Sequence, residues 1–119
     1  MVFINSTYYD FRESTAGKSV IIFGASSLWR YYLRVFPDFE ADVASRTLCV
    51  VDNDSSKQGT RCKIGRTEIE VKRADELLEQ KNYVILLAAS MVYQAEICEQ
   101  LLHMGLAQDL ECFSLPLMI

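Results

Sequence analysis

The sequence predicts an α/β fold with a doubly wound, mainly parallel sheet of about five strands and helices on both faces, and three observations carry that prediction. Ser19–Phe23 (SVIIF), Thr47–Val51 (TLCVV) and Tyr83–Ala89 (YVILLAA) are essentially unbroken apolar runs. Strands buried on both faces read this way, whereas half-buried strands alternate. The first and third runs lead into small residues and then into apolar residues at helical spacing. The stretches between runs are long enough for crossovers, which implies parallel pairing and right-handed βαβ units.

In chain order, Met1–Gly17 has no clear period and reads as a lead-in pinned to the body by Tyr8, Tyr9 and Phe11. Ser19–Phe23 meets Gly24 and the small residues Ala25, Ser26 and Ser27. Leu28, Tyr31, Tyr32, Val35 and Phe36 then recur at helical spacing until Pro37 ends the run. Pro37–Arg46 reads as a polar connection. Thr47–Val51 ends in Asp52-Asn53-Asp54, and Ser55–Gly59 is a loop by composition. Ile64–Val71 reads as a turn feeding a short edge strand, with Ile69 and Val71 on one face. Ala74–Gln80 is a short helix whose basic lead-in, Lys72-Arg73, opposes the helix dipole.

After the third run, Ser90 caps a helix with the apolar stripe Tyr93, Ile97, Leu101 and Met104, and Gly105 follows as its C′ residue. Leu110–Phe113 is a last short strand. The tail Ser114–Ile119 is apolar enough to need covering, by the body, by a second copy in a homodimer or by another domain. The whole reads as a single domain, 1–119, without repeats. The first strand is expected at the centre, with the second and the edge strand to one side and the third and fourth to the other. Ligands of such sheets bind beyond the carboxyl ends of the strands, at the point where the order reverses. Gly24–Leu28, Asp52–Asp54 and Ala88–Ser90 should converge there.

A formal net charge of −4 over 119 residues excludes the basic face that a nucleic-acid footprint needs. No apolar run approaches the roughly 18 residues of a membrane span, and no basic-then-apolar leader opens the chain. A cytoplasmic protein is expected, with no nucleic-acid partner and no membrane insertion. Cys49, Cys62, Cys98 and Cys112 show no C-x-x-C spacing and no nearby histidine, so they read as reduced, structural residues and no metal is expected.

The corner after the first strand carries the chemistry. A strand, a tight turn of small residues and a helix start form the phosphate-facing element of a nucleotide-binding unit. In the three-glycine fingerprint of dinucleotide sites, Gly24 fills the first place, Ser26 the second and Trp29 the third. Tryptophan cannot give the close helix–strand packing of the third glycine, so the helix must stand off or Trp29 must turn outward. Asp52 lies 28 positions after Gly24, where an acid accepts from ribose hydroxyls and repels a 2′-phosphate. The amides after Phe23 are expected to stay open to an anion, with Lys57 and Arg61 within reach of a phosphate. The competing reading is a glycine turn and an Asx strand end without a ligand.

Ala16-Gly17-Lys18-Ser19 looks like the end of a Walker A loop. Arg12 stands in place of its first glycine, however, and the pair precedes the strand instead of following it. No catalytic set is visible. His103 is alone near a helix end, Ser90 lacks the Gly-x-Ser-x-Gly elbow, and no tyrosine has a lysine four positions on.

VIIFGASSLWRYYL, CVVDNDSSKQGT and YVILLAAS together resemble a family of small Rossmann-like domains found in bacterial cell-surface polysaccharide biosynthesis. In that family the same places read Gly-Ala-Gly, Val-Asp-Asn-Asp with Lys-x-Gly, and a strand ending Ala-Ser. The resemblance covers about Gly17 to Phe113. It implies binding of NAD or a nucleotide sugar by Gly24, Ser26, Asp52 and Asn53, and Ala25, Ser27, Leu28, Ala89 and Ser90 complete the expected site. Ser26, Ser27 and Trp29 depart from the family pattern. The expected function is a nucleotide-binding module in surface-glycan or sugar-nucleotide metabolism without a complete active site of its own. The alternative is a degenerate interaction or oligomerisation domain, or a piece of a larger glycosyltransferase, phosphotransferase or methyltransferase.

Overall fold

The computed structural model describes residues 1–25 and 29–118, and of Trp29 and Arg30 the backbone alone. Along the chain run β1 (Val2–Ile4), α1 (Tyr8–Ser14), β2 (Ser19–Phe23), α2 (Trp29–Val35), α3 (Phe39–Asp42) and β3 (Thr47–Val51). They are followed by β4 (Arg61–Ile64), β5 (Thr67–Lys72), α4 (Glu76–Glu79), β6 (Tyr83–Leu87), α5 (Met91–His103) and β7 (Glu111–Ser114). The strands form one sheet in the order β1-β7-β6-β2-β3-β5-β4, parallel throughout except for the β4–β5 hairpin. The fold is therefore α/β with a mostly parallel sheet. β2 lies between β3 and β6, which is the expected position of the first apolar run.

Both faces of the central strands are buried, which accounts for the unbroken apolar runs. Val20, Ile22, Val50, Val84, Leu86 and Phe113 point into one cluster with Tyr8 and Phe11 of α1, Tyr32 of α2 and Phe39 of α3. Their neighbours Ile21, Phe23, Cys49, Val51, Ile85, Leu87 and Cys112 enter a second cluster with Leu77 of α4 and Ile97 and Leu101 of α5. Burial raises the thiols of Cys49 and Cys112 to about 11 and about 12, so both stay protonated as small hydrophobes; no disulfide joins any of the four cysteines.

The sheet has seven strands, not about five, and both additions have a physical reason. β1 is three residues of the lead-in, too short to show a period, and it adds to β7 with Val2 N–H donating to Leu110 C=O at 2.7 Å. β4 reads Arg-Cys-Lys-Ile and exposes its charges at the sheet edge, so its sequence resembles loop. Gly65 (φ +65°) makes the two-residue turn to β5, and a Cβ there would fall 2.1 Å from Oε1 of Glu40, whose carboxylate accepts from Arg66 N–H.

Several local expectations also shift. The lead-in holds a true helix, α1, whose N-cap is Thr7: its hydroxyl accepts from Asp10 N–H at 3.1 Å. Pro37–Arg46 contains α3 and a 3₁₀ turn, because Phe39, Val43 and Ala44 bury against the sheet. In α2, Tyr32 is buried and Phe36 packs just past its end, whereas Tyr31 is 51 % exposed. α4 shrinks to Glu76–Glu79, and Lys72 belongs to β5 and pairs with Glu76 at 3.3 Å. The tail folds back as a 3₁₀ turn, with Leu115 and Met118 buried in the first cluster. Among the described residues no helix is long and apolar enough to cross a membrane.

Candidate functional site

At the carboxyl ends of β2, β3 and β6 the strands release their chains around a cleft of about 540 Å³. Gly24, Asp52, Asn53, Ala89 and Ser90 all line it, so five of the nine residues expected from the sequence meet there. Ala25 adjoins it through its bond to Asp52. Ser26, Ser27 and Leu28 lie outside the described residues, as does the side chain of Trp29.

At Gly24 the backbones of β2 and of the residues after β6 approach closely. Its N–H donates to Val51 C=O at 2.8 Å, and Ala88 N–H donates to Phe23 C=O at 2.8 Å, so β2 is tied to both neighbours at the cleft floor. Gly24 has φ +121°, and a Cβ would stand 3.1 Å from Ala89 N and 3.2 Å from Ala88 C. Only glycine fits both the backbone and the space.

Asp52 spans the gap between the β2 and β3 turns. Its Oδ2 accepts from Ala25 N–H and its Oδ1 from Asp54 N–H, both at 2.8 Å. The side-chain amide of Gln58 donates to the Asp52 carbonyl at 2.9 Å. Contrary to the expectation from the sequence, the Ala25 amide is thus held by the chain's own carboxylate and is not open to an external anion. Asn53 bonds reciprocally with Gln100 of α5, at 2.8 and 3.1 Å, which makes it a clamp between β3 and α5. Asp54 accepts from the hydroxyl and the N–H of Ser56, and these bonds hold its carboxyl below the usual range.

The far wall comes from α5. Ser90 stands at its N-cap position, but its side chain makes no capping hydrogen bond, contrary to expectation. Tyr93 is not part of the buried stripe: it is 61 % exposed and lines the cleft, and Gln94 takes its place beside Ile97 and Leu101. The Gln94 amide donates to Ala89 C=O and accepts from the Ser114 hydroxyl, both at 2.9 Å, fixing α5 over the ends of β6 and β7. Gln94 and Glu96 escaped the sequence reading, and Tyr93 was assigned by it to the apolar stripe. The one available signal was a glutamine three residues before Ile97, in step with the stripe.

Of the two cations expected near a phosphate, Lys57 lines the cleft and Arg61 does not; it lies on β4, 3.6 Å from Glu68. His103 lies outside the cleft, its Nδ1 2.7 Å from Glu99 O in the last turn of α5. No group of three or more His, Cys, Asp or Glu among the described residues is arranged to hold a metal. A second and larger cleft, about 600 Å³, lies at the opposite end of the sheet against Lys18, Tyr83 and Glu111. Some of its polar groups are engaged with one another: Lys18 pairs with Glu111 at 2.9 Å and the Tyr83 hydroxyl donates to Leu77 C=O at 2.5 Å, while Lys81, Asn82 and Asp109 line it as well. The carboxyl-end cleft, with a fixed carboxylate on its wall, is the better candidate despite its smaller size.

Comparison of the chain with family models, with curated proteins and with solved structures gave no match.

Proposed function

We propose that this chain is a nucleotide-binding module: a doubly wound, Rossmann-like sheet that holds a small nucleotide-type ligand, NAD or a nucleotide sugar, at its carboxyl-end cleft. It acts in the cytoplasm, in surface-polysaccharide or sugar-nucleotide metabolism, and catalysis is supplied by another domain or subunit. The observation that carries the reading is Asp52. Its carboxylate is fixed by two backbone amides at the end of β3, beside a cleft that opens where β2 turns from β3 to β6. A carboxylate so held is oriented to accept from a ribose diol.

Isothermal titration with NAD, NADP, UDP-glucose and S-adenosylmethionine tests the proposal. Heat is expected for at least one of the ligands that lack a 2′-phosphate, and Asp52→Ala should weaken it about tenfold or more, as loss of a charged hydrogen-bond acceptor does. Absence of heat for all four at millimolar concentration would sink the reading. A second reading, an interaction or oligomerisation module, is favoured by β1: an uncharged edge strand whose Val2 and Phe3 are each 46 % exposed. It predicts a dimer or larger species in sedimentation equilibrium at micromolar concentration. A monomer there removes the self-association form of that reading.

A further inference from the structure

We infer, building on the nucleotide-binding reading above, that Tyr93 is a specificity-determining residue of the carboxyl-end cleft: its ring is the platform on which the base of the ligand stacks, and Gln94 holds it there.

In the first turn of α5 two neighbours exchange the roles their chemistry would assign them. Consecutive residues of a helix stand about 100° apart around its axis, so Tyr93 and Gln94 do not face the sheet together. Glutamine is mostly found exposed, and tyrosine is the better residue to bury. Here Gln94 is 6 % exposed and Tyr93 61 %.

Burying an amide is unfavourable unless its hydrogen bonds are made, and this amide makes them at both ends. Its nitrogen donates to Ala89 C=O and its oxygen accepts from the Ser114 hydroxyl, each at 2.9 Å. Ala89 follows β6 and Ser114 ends β7, so the two bonds fix the rotation of α5 about its own axis as well as its place over the sheet. A rotation that buried the ring would break both. Gln94 is thus a positioning residue: the orientation that satisfies its amide is the one that leaves Tyr93 on the cleft wall.

The cleft that the ring lines holds about 540 Å³ and has Asp52 on its wall as well, a size common among small-ligand sites. An aromatic face held in place accepts any planar base, because every base has a π face. A carboxylate has about four acceptor positions, and the Ala25 and Asp54 amides occupy two of those on Asp52. The others can take the hydroxyls of a ribose. A sugar at Asp52 and a base at Tyr93 are the two halves of one nucleoside, so the pair selects ligands that carry a base over sugar phosphates that lack one.

The experiment is a calorimetric titration of the full chain, at one fixed salt concentration, with NAD and UDP-glucose and with the base-free ribose 5-phosphate and glucose 1-phosphate. At least one of the first two should bind, about tenfold or more tightly than its base-free counterpart, the size expected for one stacked base. Tyr93→Ala should remove that advantage and leave the urea midpoint little changed, since the ring is exposed. Tyr93→Phe, which keeps the ring, should bind within about twofold of the parent. Equal affinity of Tyr93→Ala and the parent, or a base-free ligand bound as tightly as its nucleotide, would overturn the inference while the nucleotide-binding reading stands. A Tyr93→Phe variant as weak as Tyr93→Ala would overturn it too, because the hydroxyl and not the ring face would then make the contact. If neither NAD nor UDP-glucose binds the parent, both fall.

Discussion

The two ends of the sheet each open into a cleft, and the amino-end cleft is the larger, at about 600 against 540 Å³. What separates them is how their polar groups are used. At the amino end, Lys18 and Glu111 pair side chain to side chain, and the buried Tyr83 hydroxyl, pushed up to about 12 by desolvation, is tied to a carbonyl. At the carboxyl end, Asp52 is fixed by main-chain amides, which constrain it far more tightly than a mobile lysine does. Volume alone would favour the amino end. A ligand needs oriented polar groups with capacity to spare, and those occur where parallel strands end and their turns face one another.

The contrast is broken most severely at Gly24. Gly24→Ala places a Cβ against the Ala88–Ala89 backbone in a φ region that L-residues avoid. Backbone strain and overpacking together should cost about 2–4 kcal/mol. Urea denaturation should show that loss, and ligand binding at the cleft should vanish with it. A variant as stable as the parent would mean that β2 and β6 are not closely apposed at Gly24, and the cleft floor described above would be wrong.

Next in size is Asp52→Ala. The Ala25 and Asp54 amides lose a charged acceptor, and bonds of this kind contribute about 1.5–3 kcal/mol net, less where water can replace the lost partner. Because Asp52 is half-buried, a net loss of about 1–2 kcal/mol is expected in urea denaturation. Asp52→Asn should recover only part, since its amide nitrogen cannot accept. Equal stability of Asp52→Ala and the parent would remove the claim that the carboxylate organises this end.

These two residues also show what was legible in the sequence and what was not. Gly24 and Asp52 stood out because each ends an apolar run at a position where topology demands special geometry. The runs themselves marked β2 and β3 residue for residue, since burial on both faces leaves no room for polar residues. β1 and β4 left no such trace: an edge strand needs burial on fewer sides, so three residues of VFI or a charged RCKI satisfy it. The α5 stripe was misread at Tyr93 because periodicity assigns a face but not its ends. The first turn of α5 overhangs the cleft, where an aromatic ring can stay exposed while Gln94 turns inward and finds two partners. Nor does sequence reveal that Asp52 occupies the amide of Ala25. That depends on the register of β2 against β3, where a shift between Val20 and Ile21 brings Phe23 opposite Val51.

The smallest effect belongs to the amino end. Lys18 and Glu111 are 49 % and 28 % exposed, and their 2.9 Å contact links the entry of β2 to that of β7. Surface pairs of this kind contribute about 0–1 kcal/mol, and less as salt rises. A double-mutant cycle over Lys18→Ala and Glu111→Ala should therefore give a coupling near 0.5 kcal/mol or below at about 0.15 M salt, with no change in ligand affinity. A coupling above about 1.5 kcal/mol, or weaker binding at the far cleft, would show that the amino end is also rigidly organised and communicates across the sheet. The division between a structural end and a binding end would then have to be abandoned, because the feature said to distinguish Asp52 would be shared by a side-chain pair at the opposite end of the strands.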